Sequence, residues 1–102
     1  MKKFMVLFLV FAFGLLANPI SKDCSFKGKV LKGKFRIVSI GENFKVKAVS
    51  LGENLKVEGV SMGATSCGKW EFVSIGEDVK IKMVEMGEDF TIRFVTMGAG
   101  VQ

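Results

Sequence analysis

Six cationic side chains, Lys45, Lys47, Lys56, Lys80, Lys82 and Arg93, alternate with apolar residues in short stretches that recur along the chain. That spacing puts the charges on one face of extended strands. Strands stacked about 4.8 Å apart would merge them into a ribbon. A ribbon of this kind could hold an anionic envelope polymer, such as a glycolipid or a polyphosphate, or an acidic peptide. The plainer reading is a solvated sheet face that also blunts edge pairing. Nucleic acid does not suit the pattern, because no exposed aromatics are interleaved as stacking platforms.

Other residue types are weighed in the same way. The carboxylates Glu42, Glu53, Glu77, Asp78, Glu88 and Asp89 recur in turns. Neighbouring turns could share Ca²⁺, but no calcium-loop spacing is present, and solvated turn residues are expected. Ser39, Ser50, Ser61, Ser74, Glu85 and Thr96 recur at one outward position, and ordinary cross-strand hydrogen bonding is expected of them. Trp70 is in phase with Phe72, which predicts a core indole whose N–H needs a partner. Met62, Met83, Met86 and Met97 replace Leu or Ile in the repeat. They read as gap-filling core residues, three of them at buried strand ends ahead of a turn glycine, rather than as a copper site. Acid–base catalysis at neutral pH usually recruits histidine, and the chain has none. No serine or cysteine has a base at a motif spacing. The expectation is a protein that is not an enzyme and carries no cofactor or metal.

Lys2 and Lys3 precede a nearly unbroken apolar run from Phe4 to Leu16, with a small residue at Ala17. Residues 1–17 read as the helix of a secretory signal peptide, and residues 18–102 as a single domain. The run is short for a membrane span. Leu15 stands where a small residue is preferred before the cut, so an uncleaved segment is the alternative, and the only membrane attachment expected. A cut after Ala17 removes two of the 15 bases and none of the 10 acids, leaving a mildly basic chain. Export to the periplasm or beyond implies an oxidising compartment, which predicts a Cys24–Cys67 bridge. Free thiols or metal ligands are the weaker alternatives, with no histidine and no third cysteine to complete a site.

The elements that must position these groups follow from a double periodicity. Residues 35–64 and 70–99 are one segment written twice, offset by 35 residues without a gap. Within each copy an 11-residue module is marked by Gly-Glu-Asn/Asp at 41, 52, 76 and 87. Phe44, Val46 and Ala48 oppose Lys45 and Lys47; Phe90, Ile92 and Phe94 oppose Thr91 and Arg93. This is the period of half-buried strands. The alternation breaks at adjacent apolar pairs such as Ala48-Val49 and Phe94-Val95, predicting a bulge or sharp corner followed by a short second arm. Glycine then supplies positive φ, and the Asn or Asp two residues on tolerates the left-handed region. Two architectures satisfy this: an antiparallel meander curled into a barrel or sandwich, or a coil in which both copies travel one circuit about a pseudo-twofold axis. Residues 65–69 link the copies.

The segment Gly68-Lys69-Trp70-Glu71-Phe72-Val73, the tandem Lys-apolar-Lys arms and the closing Phe94-Val95-Thr96-Met97-Gly98-Ala99-Gly100 resemble the septoil-knot domain family. The resemblance covers about residues 24–100. It implies a small all-β domain whose chain winds twice round one circuit and closes a seven-crossing torus knot. It implies no activity, since the family has no established one. The reading is an all-β, duplicated, knotted double-wound domain. Its expected role is a stable structural or protein-interaction module of the cell envelope, with an unidentified envelope protein as partner. The alternative is binding of an anionic glycolipid or polymer through the lysine ribbon.

Overall fold

The computed structural model describes residues 17–102, so the expected leader falls outside the described residues except for Ala17. Two short strands, β1 (Ser25–Phe26) and β2 (Lys29–Val30), form an antiparallel hairpin. Lys27 and Gly28 both have positive φ at its turn, the requirement of a tight two-residue hairpin. The first sequence copy then supplies β3 (Gly33–Ile37), β4 (Phe44–Ala48) and β5 (Leu55–Gly59). The second supplies β6 (Lys69–Phe72), β7 (Val79–Met83) and β8 (Phe90–Phe94), and β9 (Gly100–Val101) ends the chain.

The antiparallel meander is not what forms. Strands β6, β3, β7, β4, β8 and β5 pair in parallel in that order, and β5 pairs with β6 to close a six-stranded barrel. Strands of the two copies therefore alternate round the wall. Within a copy the chain strides two places at each step, from β3 to β4 to β5. A stride of two round six positions would return β6 onto β3. The single step from β5 to β6, made through the longer link, drops the second copy into the gaps left by the first.

Parallel strands ordinarily need a crossover of a dozen or more residues. Here six-residue connections suffice because the wall is steeply sheared. Following the registers once round the barrel returns to β3 displaced by about 12 residues, a shear that tilts six strands by roughly 55°. The chain thus circles the axis more than it runs along it. β9 lies antiparallel against Leu55 and Lys56, the stretch of β5 that β6 does not reach.

Inward positions build the core in levels. Phe35, Val46, Val57, Trp70, Ile81 and Ile92 make a fully buried middle level. Phe35 and Trp70 stack there, with ring centroids 3.9 Å apart. Phe44, Leu55, Val79 and Phe90 make the next level. The corresponding positions are Gly33 on β3 and Gly68 just ahead of the neighbouring β6. The N-terminal segment packs over this end: Ile20, Cys24 and Leu31 are buried with the barrel core. Phe26 meets Phe44 and Phe90 edge-on, at 5.2 and 5.3 Å. The Leu31 carbonyl accepts from the Trp70 indole N–H at 3.1 Å and from the Gly68 N–H at 3.0 Å. The Cys24–Cys67 disulfide pins this cap to the link between the copies.

Candidate functional site

The wall presents the expected cations outward. Lys45 is the register partner of Lys82, Lys56 of Arg93, and Arg36 of Lys80. Lys47 stands beside Thr91. Like charges on facing positions repel one another, and such pairs are normally avoided in stable sheets. The turns relieve part of this. Arg93 Nε lies 3.2 Å from Glu53 Oε2, and Arg36 Nε lies 3.3 Å from Glu77 Oε1. The second contact is an ion pair without hydrogen-bond geometry, since Arg36 Nε has no hydrogen-bond partner. The remaining basic group is a quartet on two adjacent strands, Lys80 and Lys82 on β7 with Lys45 and Lys47 on β4. No salt bridge engages these four among the described residues.

Every turn except the one after β5 steps over the interposed strand of the other copy. In the first, the Val38 N–H donates to Ile81 O and the Asn43 N–H to Lys80 O, each at 2.8 Å. The corner valines Val49, Val60, Val73, Val84 and Val95 donate in the same way to Ile92, Trp70, Phe35, Val46 and Val57. All six acceptors belong to the middle core level. The adjacent apolar pairs therefore mark corners where the chain leaves the wall; no second strand arm follows them.

The Asn and Asp of these turns do not occupy the left-handed region: apart from glycines, only Cys24 and Lys27 have positive φ among the described residues. They act instead as two-point clamps. Each donates its backbone N–H to a strand carbonyl, and its side-chain oxygen accepts the N–H of the same strand residue. Asn43 grips Lys80 at 2.8 Å, Asn54 grips Thr91 at 2.8 Å, Asp78 grips Lys34 at 2.9 Å and Asp89 grips Lys45 at 2.7 Å. Two of the carboxylates, Glu53 and Glu77, are less solvated than expected, while Asp78 and Glu88 are exposed. The Glu53 side chain is only 8% exposed against Arg93. Its carboxyl is held below the ordinary value, first by a hydrogen bond from its own backbone N–H, then by Arg93 and Lys56, with burial opposing. No group of three or more His, Cys, Asp or Glu side chains that could hold a metal ion forms among the described residues.

The largest departure from expectation concerns apolar side chains. Ile40, Leu51, Met62, Ile75, Met86 and Met97, each immediately before a turn glycine, are 78–86% exposed. The three methionines among them are not buried strand ends. At the strand ends, Ile37, Phe72 and Phe94 are 39–55% exposed, and Ala48 is also exposed. Alternation holds for two inward positions per strand, and the third emerges at the mouth of the barrel that no described residue caps. Met83, at the same position, is half-buried. Two shallow open hollows lie beside these ends: about 360 Å³ between Arg36, Ile37 and Phe72, and about 150 Å³ between Lys47, Ala48 and Met83. The recurring serines sit in the turns beside the tips, off the strands, and are exposed. The sequence did carry a signal for the tips: in all six turns the apolar residue abuts a glycine with φ between +76° and +83°. A protruding turn explains that pairing better than a core strand.

The family model described as the 7(1) septoil knot domain matches residues 28–102. No curated protein matches the chain.

Proposed function

The chain belongs to the 7(1) septoil knot domain family, and from that premise we propose that it is a rigid, non-enzymatic interaction module of the cell envelope. It is exported by residues 1–17, wound twice round one circuit about a pseudo-twofold axis and knotted. The observation that carries this reading is the filled barrel. Its middle-level side chains are fully buried, and the exposed apolar and cationic side chains among the described residues lie on the outer surface, which favours a task performed there. Alternating pairing between the copies supports the double winding. Purification of the exported chain from the envelope fraction, after mild cross-linking, tests it. A stoichiometric envelope partner is expected; a chain recovered only alone from the soluble fraction would overturn it.

The register of Lys45 with Lys82 and of Lys56 with Arg93 favours one second reading, retention of an anionic glycolipid or polymer. Elution from heparin or lipopolysaccharide separates the two. The ribbon reading requires retention that survives about 0.15 M salt, where screening acts beyond roughly 8 Å.

A further inference from the structure

The six exposed turn tips share one level. Their turns leave the wall at the carbonyls of Phe35, Val46, Val57, Trp70, Ile81 and Ile92, all in the middle layer of the core. They also point the same way along the axis. In the turn over β8, Asn54 is clamped to Thr91 while Glu53 reaches on to Arg93, so its acidic residue leans towards the Phe94 end of the strand, with Leu51 exposed at its apex. In the turn over β3, Asp78 is clamped to Lys34 while Glu77 reaches on to Arg36, so its acidic residue leans towards the Ile37 end, with Ile75 exposed at its apex. The six barrel strands are parallel to one another, so equivalent turns lean towards one end, the mouth that no described residue caps. Ile37, Phe72 and Phe94 open at that mouth. Large apolar side chains exposed together at one end of a fold mark an interaction site.

We propose that this mouth docks on an electrically neutral, zwitterionic lipid bilayer, with the six tips reaching the acyl boundary. This deepens the interaction-module reading and rests on it. A ring of points at one level fits a planar surface. Tips that stand apart on separate turns fit a fluid that closes around each. The residue before each tip is a hydroxyl in five cases, at Ser39, Ser50, Ser61, Ser74 and Thr96, suited to the headgroup layer. Charge decides against the other occupants. The nearest charged side chains in the turns are carboxylates, of which Glu53 and Glu77 are held by arginines. Glu42, Glu85 and Glu88 lie in these turns without a salt bridge among the described residues, the last two exposed. An anionic bilayer would meet them unfavourably, and a second copy mouth-to-mouth would set them against their own kind.

Hydroxyl-radical footprinting of the full chain tests this, because Met62, Met86 and Met97 report from the tips whatever the leader does. With phosphatidylcholine vesicles, their oxidation slows at least about fivefold, while amine labelling of Lys29 at the capped end is unchanged. The triple variant Ile40→Ser, Leu51→Ser, Ile75→Ser keeps the wild-type melting curve. It binds at least about tenfold more weakly at the tips, from the apolar area removed, so the three methionines lose their protection. Undiminished protection in that variant would overturn the proposal, as would tips that stay reactive on vesicles. Protection that appears on concentrating the protein without lipid would mean a second copy and overturn it too. So would protection by anionic vesicles only, abolished by about 0.5 M salt. A barrel with no cooperative melting transition in the absence of lipid would instead defeat the rigid-module reading itself.

Discussion

At the scale of single residues, the Asx clamps and Glu53 do most to hold the turns down. A clamp satisfies both backbone groups of one strand residue, on a wall where the next turn needs the same geometry. Asp78→Ala and Asp89→Ala each leave a strand N–H without its charged acceptor, at Lys34 and Lys45. Thermal unfolding is expected to show a loss of about 1.5–3 kcal/mol for each, and about 1 kcal/mol for Asn43→Ala, whose acceptor is neutral. Equal losses for all three would remove charge from the account. Glu53 adds a pH dependence. Its folded carboxyl ionises below its ordinary value of 4.5. A depressed acid stabilises the fold at pH above its unfolded value and ceases to do so as pH falls through the folded one. Stability should therefore decline on the acid side of about pH 4.5, and Glu53→Gln should flatten that limb while lowering stability at neutral pH. An acid limb of unchanged slope would show that Glu53 does not set it.

At the scale of elements, glycine serves two purposes, and substitution separates them. Gly68, in the link just ahead of β6, has φ +81°, and an added Cβ would meet the Lys56 carbonyl and, at 2.8 Å, the Gly100 nitrogen. β5, β6 and β9 converge there, so nothing can yield without breaking barrel closure. Gly52 has φ +76° but open space around it. Gly68→Ala should cost about 4 kcal/mol or more, and Gly52→Ala about 1–2 kcal/mol from backbone strain alone. Comparable melting points would refute the convergence. The strands themselves were legible in the sequence, because Phe44 and Val46 alternate with lysines whichever way the neighbour runs. For the same reason the direction of pairing was not legible: alternation reports burial and is silent on whether Val46 faces a parallel or an antiparallel partner. The cation positions followed from alternation, and their ion pairs did not, since Glu53 and Arg93 are brought together only by the step over β8. Met62 and Met86 misled because apolar type suggests burial, whereas the adjoining glycine makes them the apex of a turn.

At the scale of the whole molecule, the interleaving has a consequence that ordinary repeat proteins do not share. In a solenoid each repeat contacts its neighbours in sequence, so part of the array can fold. Here β3, β4 and β5 do not pair with one another; their barrel partners are β6, β7 and β8. Neither copy holds a sheet of its own. The cap is tied across the same divide, since Cys24 precedes the first copy and Cys67 lies in the link. The 43-residue separation would contribute about 4 kcal/mol in the chain-entropy model. Cys67→Ser should then lower the melting temperature by roughly 20 °C, and an unchanged melting curve would leave the bridge without a stabilising role. The interleaving reaches further. A fragment ending at residue 64 retains the cap and the whole first copy, yet every barrel strand in it lacks a neighbour. Beyond what the short β1–β2 hairpin can give, it should show no sheet signal in circular dichroism and no protected amides in residues 33–59, even with its apolar residues intact. The complete chain must form long-range parallel pairs before local ones can contribute, which places it among slow folders, at milliseconds to seconds or beyond. Refolding from denaturant with the disulfide intact should show both copies gaining protection in one phase. A phase in which residues 33–59 become protected ahead of residues 69–94 would mean that a half-barrel stands alone, and the interlocked account of stability would fail.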